Sequence, residues 1–243
     1  MQLFNIETAN STIETLYKGF KIIDLQDKQI FYSQNIVSCN KVYFSGFEVS
    51  NECSEQELDT IHNKFNKCDR VIAIYSDTDE LVGLGFYNYL IVYGISIMYE
   101  RGIVLKKSVH RYGLSKRVLN YAISVNNNLQ YVCGATHNPI TIARYKRISS
   151  GEIYSVNAHY STNPIVSILS VKTLELCEGF SNKQAGYIIN HCNGVLHGRY
   201  QGLQTKSHLN HNEALPNIFV NGFSRNNKDA LFCLVAIQGN EHE

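Results

Sequence analysis

Six residues, His110-Arg111-Tyr112-Gly113-Leu114-Ser115, form a polar turn with a glycine in its middle, and an amphipathic run starts directly behind it. Leu114, Val118, Tyr121, Ala122 and Val125 recur at the spacing of one helical face. Asn126-Asn127-Asn128 can end that helix, because Asn tolerates the left-handed conformation. Gly113 therefore stands at a helix N-terminus, where backbone N–H groups lack internal partners and carry partial positive charge. A glycine there keeps a side chain out of a ligand's path. The surrounding charge agrees. From Arg101 to Gly151 there is no Asp or Glu, and the same stretch holds Arg101, Lys106, Lys107, Arg111, Lys116, Arg117, Arg144, Lys146 and Arg147. A helix start of this kind in an acid-free basic block suits a pyrophosphate, with Lys and Arg nearby for further phosphates. The turn is neither a P-loop nor a GxGxxG dinucleotide motif.

Several elements must position this turn. "RVIAIYS" and "ELVGLGFYNYL" flank Asp77-Thr78-Asp79 and read as a hairpin. "ERGIVLK" reads as a strand ending near Lys106, and "LQYVCGA" as a short buried strand. "HNPITIARYKRI" reads as a helix with Asn138 as N-cap and Pro139 in its first position. "GEIYSVN" and "DALFCLVAI" read as strands. Upstream, "SEQELDTIHNKFNK" is a helix opened by Ser54 and Glu57 at capping-box spacing. "NSTIETLYKGF" reads as a short helix, and "KQIFYSQNIV" and "KVYFSGFEV" as strands. From about Ala158 to Asn227 the chain turns rich in Asn, His, Ser and Gly. There "SNKQAGYIINHC" reads as a helix and "NGVLHGRYQGLQTKSHLNHNEALPN" as a long loop.

The order of these motifs resembles that of the Gcn5-related N-acetyltransferases. "IVLKKSVHRYGLSKRVLNYAI" is similar to the family's strand, [QR]xxGx[GA] turn and helix, with His for Gln or Arg at the first turn position and Ser for Gly or Ala at the last. "NPITIARY" matches a helix of the form NPxxxxxY found after the next strand, and "KDALFCLVAI" resembles the last strand. The resemblance implies an α+β (α/β three-layer) fold, a mixed and mostly antiparallel sheet flanked by helices. It implies one domain over residues 1–243, with 1–40 as an N-terminal extension and 158–227 as an insertion near the acceptor site. It further implies acyl-coenzyme A as donor, most simply acetyl-coenzyme A, and an amine as acceptor. The backbone of Val104, Leu105 and Lys106 would face the thioester. The amides of Arg111, Tyr112, Gly113, Leu114 and Ser115 would hold the pyrophosphate. Asn138 would lie beside the donor, Tyr145 would protonate the leaving sulfur, and Glu100 is the leading candidate for the base, with His110 and His137 nearby.

Composition sets the outer bounds. The chain has 243 residues, is 44% apolar and carries a formal net charge of +1. That is enough for a sizeable core, and no global field draws it to nucleic acid or a membrane. Seven scattered cysteines include no CxxC pair, and the start lacks a secretory leader. The expectation is a cytoplasmic protein with free thiols and without a membrane span or bound metal. A homodimer is compatible with this. Two other readings stay open. One is a non-catalytic protein of the same fold that binds coenzyme A or a partner, or an enzyme acting on a nucleic-acid or protein amine. The other is zinc binding by His191, Cys192, His197, His208 and His211, whose spacings match no familiar site.

Overall fold

A computed structural model describes residues 14–47, 55–136, 138–155, 164–178, 188–190, 195–197 and 230–237. The chain divides into two compact units, Met1–Asn88 with Arg101–Val125, and Tyr89–Glu100 with Asn126–Glu243.

The first unit opens on a hairpin of β1 (Glu14–Tyr17) and β2 (Phe20–Leu25). Its two-residue turn, Lys18-Gly19, has φ of 52° and 82°, the doubly left-handed geometry whose twist suits a tight hairpin. Helices α1 (Lys28–Phe47) and α2 (Glu55–Lys67) follow, then β3 (Arg70–Tyr75) and β4 (Leu81–Val92). β2 pairs β3 and β3 pairs β4, both antiparallel. The far half of β5 (Ile95–Leu105) joins β4, where the Lys106 amide donates to the Val82 carbonyl at 2.8 Å. α3 (Leu114–Ser124) closes the unit. Successive β4 residues point to opposite faces. Phe86 meets Phe65 of α2 edge-on, with ring centroids 5.3 Å apart, whereas Gly85 lies against Val118 of α3. The strands are thus covered by helices on both sides.

The second unit holds the near half of β5, β6 (Tyr131–Thr136), α4 (Pro139–Ile148), β7 (Ser149–Ser155), α5 (Pro164–Glu178), β8 (Ile188–Asn190), β9 (Val195–His197) and β10 (Ala230–Ile237). Its strand order is β5-β6-β10-β9-β8, with β7 also on β10. β5 and β6 run parallel, joined through α3, and the other registers in this unit are antiparallel. The core gathers Tyr99, Cys133, Leu174, Phe232 and Leu234. The mixed, mostly antiparallel sheet flanked by helices is the α+β layout that the resemblance implies.

Four local readings are corrected. The two strands expected over 28–49 are one helix, α1, as far as Phe47. Asp27 caps it, accepting from the Ile30 amide at 2.9 Å, and its buried residues Phe31, Tyr32, Cys39, Val42 and Tyr43 keep helical spacing. The helix breaks at Asn35 (φ −123°, ψ 21°), whose side-chain amide donates to the Phe31 carbonyl at 2.9 Å. "ETLY" is a strand rather than part of a helix. α5 was not foreseen, because "PIVSILSVKTLELC" sits in a region whose average composition is polar. Ile188–Asn190, read as helix, is strand β8. The Ser54 cap and most of the 158–227 loop lie outside the described residues.

Gly46, near the end of α1, is tightly fitted. A Cβ there would fall 2.5 Å from Val104 Cγ1 and 2.9 Å from the Leu105 carbonyl oxygen. Helix propensity favours Gly46→Ala by about 1 kcal/mol, but backbone cannot yield as a side-chain tip can. The overpacking cost, roughly 1–3 kcal/mol, wins. Gly46→Ala is expected to lower the urea midpoint without changing the slope of the transition.

Candidate functional site

The turn expected to bind phosphate is built in the first unit. β5 ends at Leu105 and a short 3-10 turn, Lys107–Val109, carries the chain to it. Arg111 (φ 61°) and Gly113 (φ 78°) are both left-handed. Alternation of this kind turns successive amides toward a common concavity. Gly113 is the N-cap of α3 and has no side chain with which to cap it; the first turn has no acidic residue. An L side chain at Gly113 would be strained by φ alone, and its Cβ would meet the Tyr17 hydroxyl at 3.4 Å. Beside the turn, Lys107, Ser108, His110, Arg111 and Tyr112 line an open cleft of about 340 Å³. Tyr112 is held edge-on against Phe20 of the hairpin, with centroids 5.1 Å apart. Leu114 is buried beneath the helix start, so only its backbone can face a ligand.

The basic block divides once folded. Arg101 donates from Nε to Asn88 Oδ1, and its carbonyl accepts from Lys64 Nζ at 2.7 Å. Lys106 pairs with Glu80 at 2.6 Å while its amide is held by β4. Lys106 is therefore engaged through both its amide and its ammonium group. Lys107, from the basic block, and Arg111 reach the cleft. Ser108, which also lines it, was not singled out in the sequence; its place directly before the turn was the available signal. Strand alternation sets the direction of the Leu105 amide. Because the Lys106 amide points to β4, that of Leu105 points away from it. Val104 is buried, and the Leu105 carbonyl oxygen lies 3.1 Å from His110 Nε2. α3 is tied down at its far end by Tyr121, which donates to Asp24 Oδ2 at 3.2 Å. Asp24 also pairs with Arg70 at 2.6 Å. Burial raises the Asp24 carboxyl above its ordinary range, against the opposing pull of Arg70 and the Tyr121 hydrogen bond.

The second unit holds the expected acid–base residues. α4 starts where expected: Asn138 Oδ1 accepts from the Ile140 amide at 2.9 Å, and Pro139 takes the first position. Asn138 Oδ1 thus serves as a helix cap. Tyr145 is buried, with 1% exposure, and its hydroxyl lies over Gly134, where there is no room for a Cβ. Burial pushes the phenol well above its ordinary range, and the Glu100 carboxylate adds to the push. Glu100, at the last β5 position registered with β6, is also buried; its Oε1 accepts from Arg144 Nη2. Its other oxygen, Oε2, has no hydrogen-bond partner among the described residues. Arg144 lies between the two candidates in a further sense, its guanidinium carbon 5.7 Å from the Tyr145 ring centre. Sequence reasoning missed this pair. The only hint was an arginine next to Tyr145 in a stretch whose nearest upstream acid is Glu100.

The described cysteines Cys39, Cys68, Cys133, Cys177 and Cys233 are all free and buried. Burial raises the Cys39 and Cys233 thiols to about 12, and raises Cys68 and Cys133 as well. His137, His191, Cys192, His208 and His211 lie outside the described residues, and His197 ends β9.

No protein-family model matches the chain, and no curated protein matches it. Solved structures resemble it distantly. The aminoglycoside acetyltransferase meta-AAC0020, from an uncultured soil metagenomic sample, shares 14% identity over 60% of this chain and 97% of its own, with a TM-score of 0.44. An assigned acetyltransferase of Pyrococcus horikoshii shares 12% over 59% of this chain, which spans about half (49%) of that protein, with a TM-score of 0.44. The ribosomal-protein-S5-alanine acetyltransferase of Vibrio fischeri shares 10% over 95% of this chain and 99% of its own, with a TM-score of 0.40. Among the described residues, the strand order, the parallel β5–β6 pair joined through α3 and the glycine turn that starts that helix agree with the layout that the resemblance in the sequence implies.

Proposed function

We propose that the chain is an acyl-coenzyme A-dependent N-acyltransferase, with acetyl-coenzyme A as donor and an amine as acceptor. The observation that carries the reading is the glycine-capped start of α3, with Arg111 and Gly113 both left-handed and Lys107 and Arg111 beside it. Diphosphate fits this turn: the amides converge, no side chain fills the space at Gly113, and the charge is of the right sign. Coenzyme A supplies the activated thioester carbonyl and a thiol leaving group. The amides of Arg111 to Ser115 hold the diphosphate. The Leu105 amide, turned away from β4, stabilises negative charge on the carbonyl oxygen as the amine attacks. Glu100 Oε2 takes the proton released from the amine as the N–C bond forms. Tyr145, kept protonated by burial, supplies a proton to the sulfur as the C–S bond breaks. Among the described residues no helix is long and apolar enough to cross a membrane. We place the enzyme in the cytoplasm, where its thiols stay reduced.

Calorimetry with acetyl-coenzyme A, followed by thiol release over a panel of primary amines, tests this reading. Binding with release supports it; absence of binding overturns it. A second reading, a non-catalytic binder of the same ligand, is favoured by the burial of both Tyr145 and Glu100. Binding without thiol release from any amine would establish it instead.

A further inference from the structure

We propose that Arg144 is the positioning residue of the acid–base pair. It commits one carboxylate oxygen of Glu100, so that the other is left for the acceptor amine. This rests on the acyltransfer reading. Both side chains are nine-tenths or more buried, with relative exposures of 8% for Arg144 and 5% for Glu100. Taking two charges out of water is costly, and it is offset well only when the remaining hydrogen-bonding capacity is used. Here it is not: Glu100 Oε1 accepts from Arg144 Nη2, while Oε2 has no partner among the described residues. A buried carboxylate with one oxygen committed keeps acceptor capacity on the other, which suits it to take an N–H from an amine.

The backbone fixes the arrangement. Glu100 is opposite Gly134 in the parallel β5–β6 register. Arg144 and Tyr145 are consecutive on α4, and the Tyr145 hydroxyl lies over Gly134, close to the Glu100 carbonyl. One helix turn therefore delivers the cation that orients the base and the phenol that serves as acid. The direction of the Arg144 effect follows from electrostatics. Removing the guanidinium takes away the cation that favours a charged carboxylate beside it. A protonated Glu100 cannot take the amine's proton, so activity that requires it ionised shifts to higher pH.

The experiment compares wild type with Arg144→Gln, Arg144→Lys and Glu100→Gln. Acetyl-coenzyme A binding is measured by calorimetry, and thiol release with n-propylamine and a panel of other primary amines is followed from pH 5 to about pH 9. In Arg144→Gln the acid limb of kcat moves to higher pH, because the cation beside the base is gone. At neutral pH kcat falls about 10- to 100-fold, while acetyl-coenzyme A affinity is unchanged. Arg144→Lys, which keeps the charge and loses the fork, recovers the pH profile in part and serves if Arg144→Gln does not fold. Loss of stability with an unmoved acid limb overturns the proposal, since Arg144 is then only a packing residue. Wild type that fails to bind acetyl-coenzyme A, or binds it without releasing thiol to any amine, overturns the acyltransfer reading instead.

Discussion

Gly113→Glu abolishes measurable acetyl-coenzyme A binding, whereas Gly113→Ala weakens it. Both substitutions carry the same backbone penalty, because Gly113 is at φ 78°. A non-glycine residue there costs about 1–2 kcal/mol. Both also place a Cβ 3.4 Å from the Tyr17 hydroxyl, ordinary van der Waals contact. The two variants therefore differ in the carboxylate. At the start of α3 a negative charge favours the helix by about 0.3–1 kcal/mol, so Gly113→Glu keeps its fold at least as well as Gly113→Ala. Its carboxylate takes the same amides that a diphosphate needs, and it repels the ligand's charges. Two like charges about 4 Å apart near a protein surface interact by roughly 4 kcal/mol, which corresponds to an affinity loss on the order of 100- to 1000-fold. Calorimetry reads the affinity, and circular dichroism with thermal melting shows that both variants are folded. If Gly113→Glu binds as wild type does, the turn is not the phosphate site. An equal loss in both variants would show that backbone strain, rather than an occupied anion site, governs the effect.

What could be read from the sequence was local. α3 and α4 were legible because their signals lie within a few residues: apolar spacing behind Gly113 in one, Asn138-Pro139 in the other. α1 was not, although Asp27 is a good cap. Its apolar residues do not make one stripe: Ile30, Ile36 and Val37 are exposed, and the break at Asn35 interrupts the period between the buried halves. Short alternating fragments on either side then looked like strands. The β1–β2 turn hid for a related reason, since Lys18 is an unusual residue to find left-handed. The site showed the same division. The Gly113 turn is contiguous and was found. The charge partners of the basic residues come from sheet register and were not. Lys106 meets Glu80 across β4, and Arg144 meets Glu100 through the β5–β6 pairing and the placement of α4. No spacing in the chain announces a pair separated by 44 positions. The acid-free stretch that drew attention to the turn thus overstated the cations available to a ligand there.

Gly134→Ala is expected to produce the largest loss of stability among single-atom additions to the second unit, and Tyr145→Phe should largely relieve it. Gly134 sits in β6 between two partners, opposite Glu100 of β5 and Cys233 of β10. A Cβ there would overlap the Tyr145 hydroxyl and come within 3.1 Å of the Glu100 carbonyl oxygen. Neither neighbour yields easily. The carbonyl belongs to a paired strand, and the Tyr145 ring is buried in the core on the face of α4. Overpacking of this kind costs about 1–3 kcal/mol, occasionally more, or roughly 3–10 °C in Tm for a chain of this size. Removing the hydroxyl leaves Tyr145 Cζ 3.5 Å from the Cβ position, ordinary packing distance, with the Glu100 carbonyl oxygen at 3.1 Å as the remaining tight contact. In the Tyr145→Phe background the Gly134→Ala penalty should therefore fall by about 1 kcal/mol or more without vanishing. That is a coupling of the size expected for residues in direct contact. Paired thermal and urea unfolding of the four proteins in the cycle measures it; additive effects would mean that the hydroxyl does not lie over Gly134. The functional consequence separates from the stability one. Gly134→Ala moves the Tyr145 hydroxyl while leaving the Gly113 turn untouched. On the proposed mechanism thiol release falls, and acetyl-coenzyme A affinity does not.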